Sequence, residues 1–102
     1  MLQPLIVHAA TAPKWQILGE TVHCLLSGEQ TGGAFSLFQI HSPSGLGPPP
    51  HVHTREDETF HILGGEYEFT IDGRPVIARP GDTLFAPREI RHSYRCSSPE
   101  DG

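Results

Sequence analysis

His51 and His53 stand two positions apart, directly after the proline run Pro48–Pro50. On an extended chain, side chains at i and i+2 share a face, whereas on a helix they diverge by about 200°. The prolines exclude a helix interior and deliver His51 in an extended conformation, so both imidazoles can meet one ligand. Glu58 has the opposite parity and lies five residues on, so it joins them only if Thr54–Asp57 turns and Glu58 sits on a neighbouring antiparallel strand. Opposed Cβ atoms across such a pair lie ~4.5 to 5.5 Å apart. A fourth donor is expected from His92, which heads a strand whose alternation puts His92, Tyr94 and Cys96 on one face and Ser93 and Arg95 on the other. Three imidazoles and one carboxylate suit a divalent transition metal (Mn, Fe, Co, Ni, Cu or Zn) and leave positions open for water, dioxygen or substrate, but they do not select among those metals. Two other readings stay open at this level. The H-x-H pair can be an exposed polar loop, and Asp57 or Glu56 can replace Glu58 as the carboxylate if the turn is one residue shorter. His61 has the parity to point away, and His8, His23 and His41 have no partner at ligand spacing.

The elements that must position these groups are strands. Glycine (11) and proline (10) together fill about one position in five, which excludes a helical bundle. Alternation and turn residues predict strands at Thr21–Leu26, Ala34–His41, Pro50–His53, Glu58–Leu63, Glu66–Ile71, Arg74–Ala78, Asp82–Phe85 and His92–Cys96. Between Glu66 and Ile71, Tyr67, Phe69 and Ile71 form an apolar face opposite Glu66, Glu68 and Thr70. Asp72-Gly73 is the residue pair of a two-residue type I′ hairpin, and Gly64-Gly65 and Arg79–Asp82 supply further turns. The residues from His41 to Pro50 read as a loop. Ser97–Gly102 reads as a turn that should introduce another strand, so the expectation is a barrel short of its last strand, or one whose open edge another chain covers.

With 7 Lys and Arg against 12 Asp and Glu, the formal charge is −5. A nucleic-acid partner that needs a basic face is therefore not expected. No apolar run approaches the ~18 residues that cross a bilayer, and the N-terminus lacks the features of a secretory leader. Cys24 and Cys96 stand isolated, as small buried side chains rather than a disulfide framework. The expectation is one cytoplasmic domain over residues 1–102 with a small core that favours a homodimer.

The residues in these positions resemble the two motifs of the cupin superfamily. The first motif, G-x5-H-x-H-x4-E-x6-G, is met by Gly45, His51, His53, Glu58 and Gly65. The second, G-x5-P-x-G-x2-H-x3-N, is met by Gly81, Pro87 and His92, with Glu89 in place of its glycine and Cys96 in place of its asparagine. Fifteen residues separate motif one (45–65) from motif two (81–96). The upstream text, from Glu29 to Gly33 and Phe35 to Phe38, is similar to small single-domain cupins described as quercetin 2,3-dioxygenase-like. The resemblance implies an all-β, double-stranded β-helix or jelly-roll-like barrel with a metal held inside by His51, His53, Glu58 and His92. It specifies no substrate; a small-molecule ligand or substrate is expected, and one function the site allows is a metal-dependent dioxygenase in which Glu58 takes a substrate proton. Phe38, Phe60, Tyr67, Phe69 and Phe85 are available to line its pocket. The fold also hosts non-catalytic binding modules and isomerases of sugars or keto acids; the latter needs a further acid or base, for which Tyr94 and Glu89 are the candidates.

Overall fold

A computed structural model describes residues 2–102. Its regular elements are eight strands and a single 3-10 turn at Ala9–Thr11 among the described residues, as the glycine and proline content requires. No helix among them is long and apolar enough to cross a membrane. The ladders fall into three separate sheets, not one closed ring, and the chain divides into two compact units at residues 1–41 and 42–102.

The first unit is an antiparallel meander of β1 (Lys14–Ile17), β2 (Glu20–Leu26) and β3 (Leu37–His41). The sequence reading expected no strand before Thr21, yet β1 pairs with β2 from Lys14↔His23 to Ile17↔Glu20. Its two-residue turn puts Leu18 at φ 50° and Gly19 at φ 87°, so a leucine occupies a position where asparagine, aspartate or glycine is the usual signal. The third strand starts at Leu37 and not at the expected Ala34. Thr31 explains the difference, because its hydroxyl donates to the Phe35 carbonyl at 2.6 Å and accepts from the Phe35 N–H at 3.2 Å, holding those residues in the loop.

The second unit holds β4 (Glu58–His61) paired with β7 (Thr83–Ala86), and a sheet in the order β6 (Arg74–Ala78), β5 (Tyr67–Ile71), β8 (His92–Cys96). The central strand β5 has the alternation expected of it: Tyr67 and Phe69 are buried, and Glu68 lies on the other face. Asp72 and Gly73 both have positive φ, 49° and 79°, and join Ile71 to its partner Arg74 as a type I′ turn. Ile62, Tyr67, Phe69, Ala78 and Cys96 form the core, with Phe60, Ile71, Leu84 and Tyr94 packed against it. The parity expected for β8 holds as well, since His92 is 2% and Cys96 0% exposed. His92 therefore continues the core face of the sheet, opposite Ile71 at its end.

The segment carrying the two close histidines is not the strand expected over Pro50–His53. It runs antiparallel along β8 as an interrupted edge. The Gly45 N–H donates to the Cys96 carbonyl, the Cys96 N–H to that of Leu46, and His51 and His92 exchange both backbone bonds at 3.0 Å. Three consecutive prolines without N–H groups cannot extend a ladder between those points. The expected hairpin between this segment and the Glu58 strand is likewise replaced. Glu58 pairs with Ala86 on β7, and His51 with His92. At the C-terminal end, residues 97–102 bend back, and Gly102 exchanges backbone hydrogen bonds with Ser42.

Candidate metal centre

Three imidazoles converge on one carboxylate oxygen. Glu58 Oε1 lies 2.6 Å from His53 Nε2, 3.1 Å from His92 Nε2 and 3.8 Å from His51 Nε2. Each arrives from a different local structure. Glu58 shares the inner face of β4 with Phe60, whose ring packs 5.1 Å from that of Phe69 and 6.1 Å from that of His92. His92 opens β8, and His51 is tied to it through the backbone bridge. His53 is fixed by its own carbonyl, which accepts from the Glu89 N–H at 2.6 Å.

The ring orientations have a chemical consequence. His51 Nδ1 is 3.0 Å from the Pro49 carbonyl and His92 Nδ1 is 3.1 Å from that of Ile90. A carbonyl only accepts, so these contacts assign the N–H to Nδ1 and turn an Nε2 lone pair toward Glu58. On His53, the corresponding Nδ1 faces the Glu56 carboxylate at 3.6 Å. In the neutral rings the Nε2 lone pairs of His51 and His92 face the same Glu58 oxygen that His53 Nε2 approaches, an arrangement that a positive charge among them stabilises. The four donor atoms lie within 4.8 Å of one another, a group that could hold a metal ion. Donors ~2.0 to 2.2 Å from one ion are at most ~4.4 Å apart, so the outermost donors need to approach by only a few tenths of an ångström while the close His53–Glu58 pair opens to admit the ion. The His92 side chain is 1% exposed, whereas those of His51, His53 and Glu58 are 33%, 36% and 30% exposed. One side of the group is closed and the other open.

Neither of the other acidic candidates is in the group of four: Glu56 faces the Nδ1 edge of His53, and Asp57 is engaged with Arg88. Asp57 forms a two-pronged pair with Arg88, at 3.2 Å from Nε and 3.3 Å from Nη2, and its Oδ1 accepts the Arg88 backbone N–H at 2.9 Å. The side-chain hydrogen bonds first, and then the backbone one, hold the Asp57 carboxyl below its ordinary range, and the side-chain bonds together with the Asp57 charge raise the Arg88 guanidinium. His61 faces away, with Nδ1 2.8 Å from Thr83 Oγ1, and His8, His23 and His41 do not join the group. Phe60, Tyr67 and Phe69 form an aromatic cluster with Tyr94, but Phe38 and Phe85 are 49% and 59% exposed. The sequence reading missed Arg88, one of three arginines inside motif two with nothing in its spacing to single it out.

Glu89 occupies the glycine position of motif two at φ 68°. A side chain in that region costs ~1 to 2 kcal/mol, partly offset by the greater flexibility of unfolded glycine. Glu89→Gly is therefore expected to stabilise the protein by about 0.5 to 1 kcal/mol in urea denaturation; a loss of stability would show that the turn is not strained.

An all-β fold with three imidazoles and one carboxylate gathered at the end of an aromatic core defines a class of proteins whose donor set could hold a metal ion. The chain belongs to the cupin family, whose cupin domain is matched by residues 37–102. It is 31% identical over 83 residues to quercetin 2,3-dioxygenase of Bacillus subtilis (strain 168), a match covering 80% of this chain and 25% of that protein. It is 34% identical over 76 residues to the dimethylsulfoniopropionate lyase DddQ of Ruegeria pomeroyi, covering 72% of this chain and 37% of that one. The chain thus spans well under half the length of these relatives. A solved structure from Thermotoga maritima, described as a predicted oxalate decarboxylase, superposes with a TM-score of 0.88 at 25% identity, covering 95% of this chain and 91% of that one.

Proposed function

We propose that His51, His53, Glu58 and His92 hold a divalent transition metal, one of Fe, Mn, Ni, Cu, Co or Zn, and that the chain is a metal-dependent dioxygenase acting on a small aromatic or dicarbonyl substrate. The observation that carries the metal reading is the convergence of three Nε2 atoms on a single oxygen, with the opposite ring nitrogens of His51 and His92 held by backbone carbonyls. Such an ion supplies Lewis acidity and, in its redox-active forms, electron transfer. The chain's own residues do the rest. Buried His92 anchors the closed side, Phe60 backs it with an apolar surface, and partly exposed Glu58 is the carboxylate positioned to take a substrate proton. Kinship with a quercetin dioxygenase over most of this chain supports the reaction class.

The test is oxygen consumption by protein loaded in turn with Fe, Mn, Ni, Cu or Co, against a panel of flavonols, catechols and diketones. Uptake is expected with at least one pairing and is expected to disappear in Glu58→Gln. No uptake across the panel by protein shown to be metal-loaded would rule out the dioxygenase and leave a binding or isomerase function.

A further inference from the structure

We infer that the Asp57–Arg88 pair is a clamp that sets the positions of His53 and Glu58, and hence the affinity and geometry of the metal centre; this rests on the metal reading above. Two chain segments far apart in sequence are latched by it. The first, residues 51–58, carries three of the four donors, and inside it residues 54–57 make no backbone ladder. The second is the turn at residues 87–91, which leads into His92.

Four hydrogen bonds join the segments on this side of the centre. Asp57 takes the Arg88 backbone N–H and both prongs of its guanidinium, and the Glu89 N–H holds the His53 carbonyl. Asp57 immediately precedes Glu58, so a shift of its backbone moves the carboxylate on which the three rings converge. Releasing the carbonyl of His53 frees the ring whose Nε2 now lies 2.6 Å from that carboxylate. A fork of two N–H groups on two oxygens is directional, unlike a single ammonium contact, so it fixes orientation as well as distance. The surface position does not weaken this role. An exposed ion pair contributes little to global stability, but a partner of the ligand-bearing segment need only bias where that segment rests. Neither side chain is a donor in the group of four.

The experiment is a cobalt(II) titration of the parent protein and of Asp57→Asn, Arg88→Lys, Arg88→Gln and the Asp57→Asn/Arg88→Gln double variant. Affinity is followed by competition with a chelator, and ligand geometry by the visible absorption band. Arg95→Gln is the control: it removes the comparable exposed pair Arg95–Glu68, at 3.5 Å, which does not involve a donor. The expected result is a loss of cobalt affinity of about ten- to hundredfold in Asp57→Asn and Arg88→Gln, the range found for partners that orient metal ligands, with a changed band. Arg88→Lys, which keeps the charge but not the fork, is expected to fall between them and the parent. The double variant is expected to be no worse than either single one, because the two residues act as one unit. Arg95→Gln should leave affinity and band unchanged. A folded Asp57→Asn protein with parental affinity and band would overturn the clamp while the metal centre stands. A parent that takes up no cobalt would remove the metal reading and the clamp with it.

Discussion

His51→Ala is expected to abolish metal uptake, whereas His61→Ala should take up as much as the parent. Both replace one histidine of the same unit, so the difference isolates geometry from composition. His51 contributes one of four donors converging within 4.8 Å, and its ring is pre-oriented by the Pro49 carbonyl. Four-donor sites bind zinc with on the order of 10 to 16 kcal/mol. One donor's share is then roughly 3 kcal/mol, about a hundredfold or more in affinity, enough for the metal to be lost during gel filtration. His61 lies on the opposite face of β4, beside Thr83, and its removal leaves all four donors in place. Elemental analysis of each protein after metal loading and gel filtration measures the outcome. Equal loss in the two variants would mean that the facing of the histidines is wrong; equal retention would mean that His51 is not a ligand.

The group of four could be anticipated from the sequence in part because the facing of its histidines is local information. His51 and His53 share a face by their spacing, and His92 shares one with Cys96 on β8, as their low exposure bears out. The Tyr67–Ile71 alternation and the Asp72-Gly73 turn are equally local. What escaped the reading was pairing. A run of prolines reads as the lead-in to a strand, but without N–H groups it touches β8 only at its ends, and Glu58 has its partner on β7. β1 escaped because its turn relies on a leucine at positive φ, a conformation that no side-chain preference advertises. The Asp57–Arg88 fork joins residues 31 apart in sequence, and nothing in the spacing of either motif encodes that approach.

Gly47 belongs to this second group, and Gly47→Ala is expected to destabilise the protein by about 3 kcal/mol or more. A Cβ at this position would lie 1.8 Å from the Tyr94 carbonyl oxygen, 2.6 Å from its carbonyl carbon and 2.7 Å from the Arg95 Cα. All three are backbone atoms of β8, so no side-chain rotation relieves the overlap. Moving β8 instead would disturb its register with β5, where Tyr94 opposes Phe69 at the centre of the core. Gly45, the glycine that motif one requires, is the informative contrast. Its φ is 84°, but a Cβ there meets nothing within 4 Å, so Gly45→Ala should cost only ~1 to 2 kcal/mol of backbone strain. For a domain of this size, ~3 kcal/mol lowers Tm by roughly 12 to 24 °C, readily separated from the Gly45 variant by thermal denaturation. The same displacement would separate the segment that carries His51 from the strand that carries His92, so metal affinity should fall with stability in Gly47→Ala. A parental Tm for Gly47→Ala, or a larger loss in Gly45→Ala, would show that the close passage of this segment over β8 is not what the fold depends on.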